Sequence, residues 1–267
     1  MLGLSVALTA VFATLSSRRC RKVWRVDLAP AETVAQLLSA AMRTHRIVGV
    51  VPAAGYAVRL QPLPHSKELL PAGGRPVMDY VIERMRAGGA DEVRVVTRPE
   101  KEDVVEHARD AGVTLVLAHP PTLNASFAAG LAGLAPDDIA LLGFPDSIWE
   151  PHDGFRPLVE AVLAGHEVAL GLFKTPGLEG VDYVALDDDG GIAGIEIKPA
   201  APPSEWMWGA AAARARTLDG LERQEWPSGH FLDLRDRGLD LHGVRLSSTY
   251  LDVGTRSSLE KLRTFFS

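Results

Sequence analysis

The 267-residue sequence contains one cysteine, Cys20, which excludes an intramolecular disulfide and any metal knot built on paired cysteines. A chain so poor in thiols suits the reducing cytosol. Its eight histidines are scattered, so zinc-ligand spacing is missing as well. Excess positive charge is lacking too: 28 Lys and Arg stand against 34 Asp and Glu, and no basic run follows residue 25. The resulting net charge of −6 argues against a nucleic-acid partner, whose phosphates need the opposite field. Nor is there an apolar stretch of membrane-spanning length. Leu2 to Leu15, followed by Arg18, Arg19, Arg21 and Lys22, falls short of the roughly 20 residues a spanning helix needs. It also lacks the basic segment that precedes the apolar part of a signal peptide. No stable membrane insertion is expected. Residues 1–45 read as an N-terminal extension, loosely ordered or upstream of the true start at Met42, with helical spacing from Ala31 to Ala41.

From Arg46 onward the pattern is regular. Short β-branched runs at Ile47–Val51, Glu92–Thr97, Val113–Ala118, Ile139–Gly143 and Glu167–Phe173 predict strands. Between them Pro76–Ala87, Lys101–Ala111, Leu123–Leu134 and Phe155–Ala164 predict helices. Strand runs this apolar are buried on both faces, which implies a parallel sheet with helices on either side. Right-handed crossovers then give an open, doubly wound α/β sheet whose ligands lie beyond the carboxyl ends of the strands. After Lys174 the rhythm breaks into a smaller mixed part. It comprises a hairpin of Tyr183–Leu186 and Ile192–Lys198 turning at Asp188 to Gly191, strands at Trp206–Ala213 and Leu241–Leu246, and a last helix Arg256–Phe266 capped by Thr255 or Ser257.

The segment after the first strand is the densest in chemistry. Ala53, Ala54, Gly55 and Ala57 are small enough for the backbone to approach a ligand and aim amides at phosphate. Arg59 adds a forked, permanent cation and Lys67 a mobile one. Small residues plus two cations at a strand's carboxyl end describe a polyphosphate cradle. Singly, each has a plainer reading, as a tight turn or as surface charges pairing with Glu68 or Asp79. Asp146 follows the strand ending at Gly143, and Asp252 lies between an extended segment and the last helix. Both are helix-cap or turn residues, or together the oxygen ligands of Mg²⁺. His65 is the histidine beside this segment, whereas His166, His230 and His242 read as surface or turn residues. Trp206 and Trp208 read as core packing or as a stacking surface.

These residues resemble the sugar-nucleotidyltransferase family, the glucose-1-phosphate thymidylyltransferases in particular, from about Val48 to Leu262. Ser66 to Tyr80, Leu141 to Asp146, Glu196 to Ser204 and Leu251 to Glu260 are similar to four of its signature stretches, in the family's order. The resemblance implies a nucleotide-binding half (46–174) and a sugar-phosphate half (175–267). It implies an NTP, dTTP or UTP favoured, and a sugar 1-phosphate as substrates, and it is compatible with a homo-oligomer. Asp146 and Asp252 are then the Mg²⁺ ligands, Arg59 and Lys67 neutralise the triphosphate, and Lys198 binds the incoming phosphate. Asn124 and Ser126 lie where the family reads the base, although their residue types favour helix capping. Glu196 and Gly209 join Lys198 as substrate-binding positions. Three departures stand out. Ala57 replaces a glycine, which is tolerated unless the position needs positive φ; Val58 replaces a threonine; and Ile197 stands where the family's sugar-contacting Glu falls, with Glu196 one residue earlier on the opposite face of a strand. Two other readings stay open: a cytidylyl- or guanylyltransferase of the same fold with another phospho-acceptor, and a nucleotide-sugar-binding module without catalysis.

Overall fold

A computed structural model describes residues 45–175 and 180–265. The N-terminal extension, including the helical spacing expected from Ala31 to Ala41, lies outside them. In chain order the elements are β1 (Ile47–Pro52), β2 (Pro71–Ala72), β3 (Arg75–Pro76), α1 (Val77–Ala87), β4 (Glu92–Thr97), α2 (Glu102–Asp110), β5 (Thr114–Leu117) and α3 (Leu123–Leu131). They continue as β6 (Ile139–Gly143), β7 (Ser147–Trp149), α4 (Phe155–Ala164), β8 (Val168–Lys174), β9 (Tyr183–Leu186), β10 (Ile192–Glu196) and β11 (Trp206–Arg214). The last are α5 (Pro227–Asp236), β12 (Leu241–Ser247), β13 (Tyr250–Asp252) and α6 (Arg256–Phe265).

The expected parallel block is β6-β1-β4-β5, extended past β6 by β11, which runs antiparallel to it. Beyond β11 the mixed part attaches through β8 with β12 and through β9 with β10. Alternation along each buried strand explains why helices cover both faces. Ile47 and Val51 pack with Val81, Met85, Phe155 and Leu158 of α1 and α4, while the intervening Val50 packs on the other face with Phe127 of α3. Helix α3 can come that close because of Gly130, where a Cβ would stand 2.3 Å from a Val50 methyl. Phe231 and Leu234 of α5 complete this second layer.

Most expected elements appear within a residue or two of their ends, and Thr255 is the cap of α6, accepting the Ser258 amide at 3.1 Å. Helix α5 and strands β7 and β13 were not expected as such. His230 is corrected as well: it is buried in α5, and its Nε2 meets the Thr217 carbonyl at 2.8 Å. No helix among the described residues is long and apolar enough to cross a membrane.

Candidate active site

The carboxyl ends of β1, β4 and β6 point to one side of the sheet, and the loops leaving them build the site. Ala53 donates its amide to the Val96 carbonyl at 2.7 Å, continuing the sheet, so that amide is unavailable to a ligand. Its carbonyl accepts from Thr97 Oγ1 at 3.1 Å and from Lys101 Nζ at 2.9 Å. Lys101 also holds the Gly55 carbonyl at 2.9 Å, and Arg98 Nε holds that of Ala54 at 3.0 Å. The cradle is therefore fixed by its carbonyls, from behind. A Cβ on Gly55 would meet nothing within 4 Å, so the front of the loop is open. Ala57 follows in the left-handed region (φ 50°, ψ 43°), which means that the position does require a positive φ. It launches a short 3-10 turn, Val58–Leu60, on which Val58 and Arg59 are exposed.

The third ligand of the Lys101 ammonium is Glu68 Oε2 at 2.8 Å. Both side chains are buried. Burial pushes the Glu68 carboxyl upward, opposed by Lys101. The other oxygen, Oε1, has no partner. Glu68 lines a cavity of about 250 Å³ together with Ala54, Gly55, Lys67, Arg98 and Ser126. Ser126 Oγ is likewise buried and unpartnered, so this cavity carries unmet polar capacity of the kind a base edge satisfies. Asn124 Oδ1 is buried and unpartnered as well, but its amide nitrogen is committed elsewhere. The residue is fully buried and that nitrogen donates to the Leu221 and Gln224 carbonyls at 3.0 and 2.8 Å, which ties α3 to the turn before α5. It is not among the residues lining the cavity. Thr122, not Asn124 or Ser126, caps α3.

A second cavity, of about 310 Å³, is lined by Arg59, Asp146, Asp252, Lys198, Trp208 and Trp226, among others. Asp146 leaves β6 just before β7, and the antiparallel pair β7–β13 sets Asp252 opposite Ser147. The Val253 amide closes the junction on the Asp146 carbonyl at 2.8 Å. The two carboxylates face each other closely enough that burial and the Asp146 charge raise Asp252 to about pH 7, against the pull of Lys67 and Arg59. Lys67 Nζ lies 2.5 Å from Asp146 Oδ2; burial disfavours its charge, but Asp146 more than compensates and its pKa is raised. Tyr250, half-buried beside both carboxylates, is pushed well above its ordinary value, first by loss of solvent and then by their charge. Lys198 has a left-handed backbone (φ 46°), and its amide donates to Asp182 Oδ1 at 3.2 Å.

Not every expected residue lines this cavity. Glu196 is exposed at the end of β10, paired with Tyr183, and lies outside the lining, as does Ile197. Gly209 sits at a bulge in β11 where a Cβ would stand 2.4 Å from the Tyr250 ring, so it gives β11 room for that ring. Of the two tryptophans, Trp208 lines the cavity while largely buried against Phe144 and Phe231, and Trp206 lies under Arg245. The sequence reading missed Lys101, Glu68 as a buried group, Asp182 and Trp226. Only the short distance of Lys101 from the end of β4 could have signalled any of them.

The donor set suits a hard divalent cation. Among the described residues no group of three or more His, Cys, Asp or Glu side chains gathers to hold a metal by itself. Two facing carboxylates beside an open cavity match Mg²⁺, which is held by one or two carboxylates and completes its shell with water and phosphate oxygens.

Comparison with known proteins agrees with this geometry. Residues 49–175 match the MobA-like NTP transferase domain. The glucose-1-phosphate thymidylyltransferase of Neisseria meningitidis is 24% identical over 235 residues, 81% of each chain. The low-salt glycan biosynthesis nucleotidyltransferase Agl11 of Haloferax volcanii is 29% identical over 66% of this chain and 52% of its own. A solved Bacillus anthracis structure assigned as a glucose-1-phosphate thymidylyltransferase superposes with a TM-score of 0.70 at 20% identity, covering 82% of this chain and 95% of that one, which establishes the fold. Domain match, relatives and fold together support a nucleotidyltransferase of the sugar-nucleotidyltransferase kind, with residues 49–175 carrying the MobA-like NTP transferase domain.

Proposed function

We propose that the protein transfers a nucleotidyl group from an NTP, dTTP or UTP, to a sugar 1-phosphate, forming a nucleotide-sugar and pyrophosphate. The observation that carries this reading is the gathering of Asp146, Asp252, Arg59 and Lys198 around one cavity, with Lys67 bridging to the cavity next to it. The choice of pyrimidine nucleotide is supported by relatives that are thymidylyl- and uridylyltransferases.

An acceptor phosphate is already ionised near neutrality, with a second pKa of about 6, so its oxygen attacks without a general base. A bond forms from that oxygen to the α-phosphorus while the α–β bridging bond breaks, and pyrophosphate leaves with the electron pair. What the protein must supply is alignment of two polyanions and compensation of charge that moves onto the leaving group. The open front of the 53–57 loop receives the triphosphate, with Arg59 and Lys67 as its counter-charges. Lys198 takes the acceptor phosphate from the opposite wall. Mg²⁺ held by Asp146 and Asp252 supplies Lewis-acid and template chemistry when bound. Ser126 and Glu68 offer their unpaired oxygens to the base, and Asn124 only shapes the wall behind them.

Pyrophosphate release, measured with each NTP over a panel of sugar 1-phosphates with and without Mg²⁺, tests the reading. Turnover with dTTP or UTP and a hexose 1-phosphate is expected. Turnover confined to CTP or GTP with a non-sugar phosphate, or tight nucleotide-sugar binding without turnover, overturns it.

A further inference from the structure

The wall of the acceptor cavity carries an indole that the phosphate chemistry does not use. Trp226 stands immediately before α5 and lines the cavity beside Lys198 and the two carboxylates. The Lys198 ammonium rests on it, 3.1 Å from the ring centroid. Two anchors hold the rest of this arrangement still. The Lys198 amide is bound by Asp182, and the other Asp182 oxygen accepts from Ser228 Oγ in the first turn of α5. Ser228 is fixed in turn by Trp208 Nε1 at 2.7 Å. The backbone of Lys198 and the helix start carrying Trp226 are thus tied through one carboxylate, which leaves the Lys198 side chain as the moving part.

A cation–π contact in an open cavity is weak beside a charge-assisted bond to a phosphate dianion. We propose that Trp226 is the platform for the non-phosphate part of the acceptor, covered by Lys198 in the free enzyme and bared when the acceptor phosphate draws Lys198 away. The proposal rests on the reading of Lys198 as the acceptor-phosphate ligand. A flat, apolar, electron-rich face suits a ring with a C–H surface, so the acceptor class it selects is a pyranose 1-phosphate rather than a flexible acyclic phospho-alcohol. Trp208 cannot serve in its place: it is 4% exposed, its N–H is engaged by Ser228, and Phe144 and Phe231 pack against its ring.

The test uses the full chain and two variants, Trp226→Ala and Trp226→Phe, with steady-state kinetics and intrinsic fluorescence. Trp226→Ala should raise KM for the sugar 1-phosphate by about tenfold or more, with KM for the NTP within about twofold, because only the acceptor loses its platform. Trp226→Phe, which keeps an aromatic face, should recover most of that loss. Titration of the wild type with glucose 1-phosphate should change indole emission as the ammonium leaves, and Trp226→Phe should abolish the change. Glycerol 3-phosphate, which carries the phosphate but no ring, should also change the emission by drawing Lys198 away, but its inhibition constant against the sugar 1-phosphate should not depend on Trp226. An unchanged acceptor KM in Trp226→Ala, or an emission change that persists in Trp226→Phe, overturns the platform even if turnover is normal. Absence of turnover in the wild type overturns the proposed reaction instead, and the fluorescence titration then still decides the platform.

Discussion

Lys67 and Asp146 meet at 2.5 Å on the boundary between the two cavities, the lysine lining one and the aspartate the other. The pair couples the nucleotide side of the site to the carboxylate side. Its partner across the cavity, Asp252, is raised first by burial and then because Asp146 opposes its ionisation.

Asp146→Asn should therefore be costly for turnover and mild for the fold. The variant removes one carboxylate charge from the proposed metal site, and loss of one preorganised charge typically reduces rate about 10²–10³-fold. Stability is protected because Asp252 remains close to Lys67 and is relieved of its repulsive neighbour. Pyrophosphate release should fall by that factor while the melting temperature moves by no more than about 3 °C, the equivalent of about 1 kcal/mol at this size. Undiminished turnover removes Asp146 from the reaction.

Ala57 occupies a left-handed conformation that disfavours any residue with a Cβ. Ala57→Gly should relieve that strain against a smaller loss in chain entropy, giving a net stabilisation of up to about 1 kcal/mol. A urea denaturation midpoint that rises without a change in slope is the expected result. A lower midpoint means that the alanine methyl packs favourably and the loop is not strained.

The sheet was legible because its strands are long, apolar and separated by amphipathic helices, so their period and their turns agree. Helix α5 was not, since Pro227 and Gly229 within its first turn read as a loop, and only its contacts with the second core layer make it a helix. Strands β7 and β13 have three residues each, too few to show alternation, yet their pairing is what sets Asp252 beside the Asp146 loop. Site residues next to strand ends were legible for the same reason as the strands. Glu68 and Lys101 were not, because a charged residue reads as solvent-facing unless its partner, distant along the chain, is known. The left-handed turn at Ala57 is invisible in an alanine.

Lys101→Met should be among the most destabilising single changes in the nucleotide half. It strips Glu68 of its counter-ion and leaves the Ala53 and Gly55 carbonyls without that donor. Breaking a buried pair from one side typically costs about 3–5 kcal/mol, whereas replacing both partners with apolar groups costs far less. The double variant Lys101→Met, Glu68→Met should accordingly recover much of the loss in urea, though not the part due to the two carbonyls. KM for the NTP should stay raised in the double variant, since the cradle is no longer held from behind. Purely additive losses in the two single variants refute the coupling.

Asp252 makes the metal-free fold sensitive to pH with a definite sign. Its folded pKa is about 7 against an ordinary value of 3.8, so between these limits the folded chain binds a proton more readily than the unfolded one. Stability contributed by this group is present below pH 3.8, falls as pH rises through the interval, and is fully lost above about 7. Histidines titrate in the same range, so the quantity to measure is the difference between wild type and Asp252→Asn. In chelator, that difference in unfolding free energy should move against the wild type from pH 5 to pH 8. Adding Mg²⁺ at pH 8 should reverse it, because a bound cation stabilises the ionised pair and, binding only the folded chain, raises stability by mass action. A pH-independent difference shows that Asp146 and Asp252 do not share a field, and with it the two-carboxylate metal site fails.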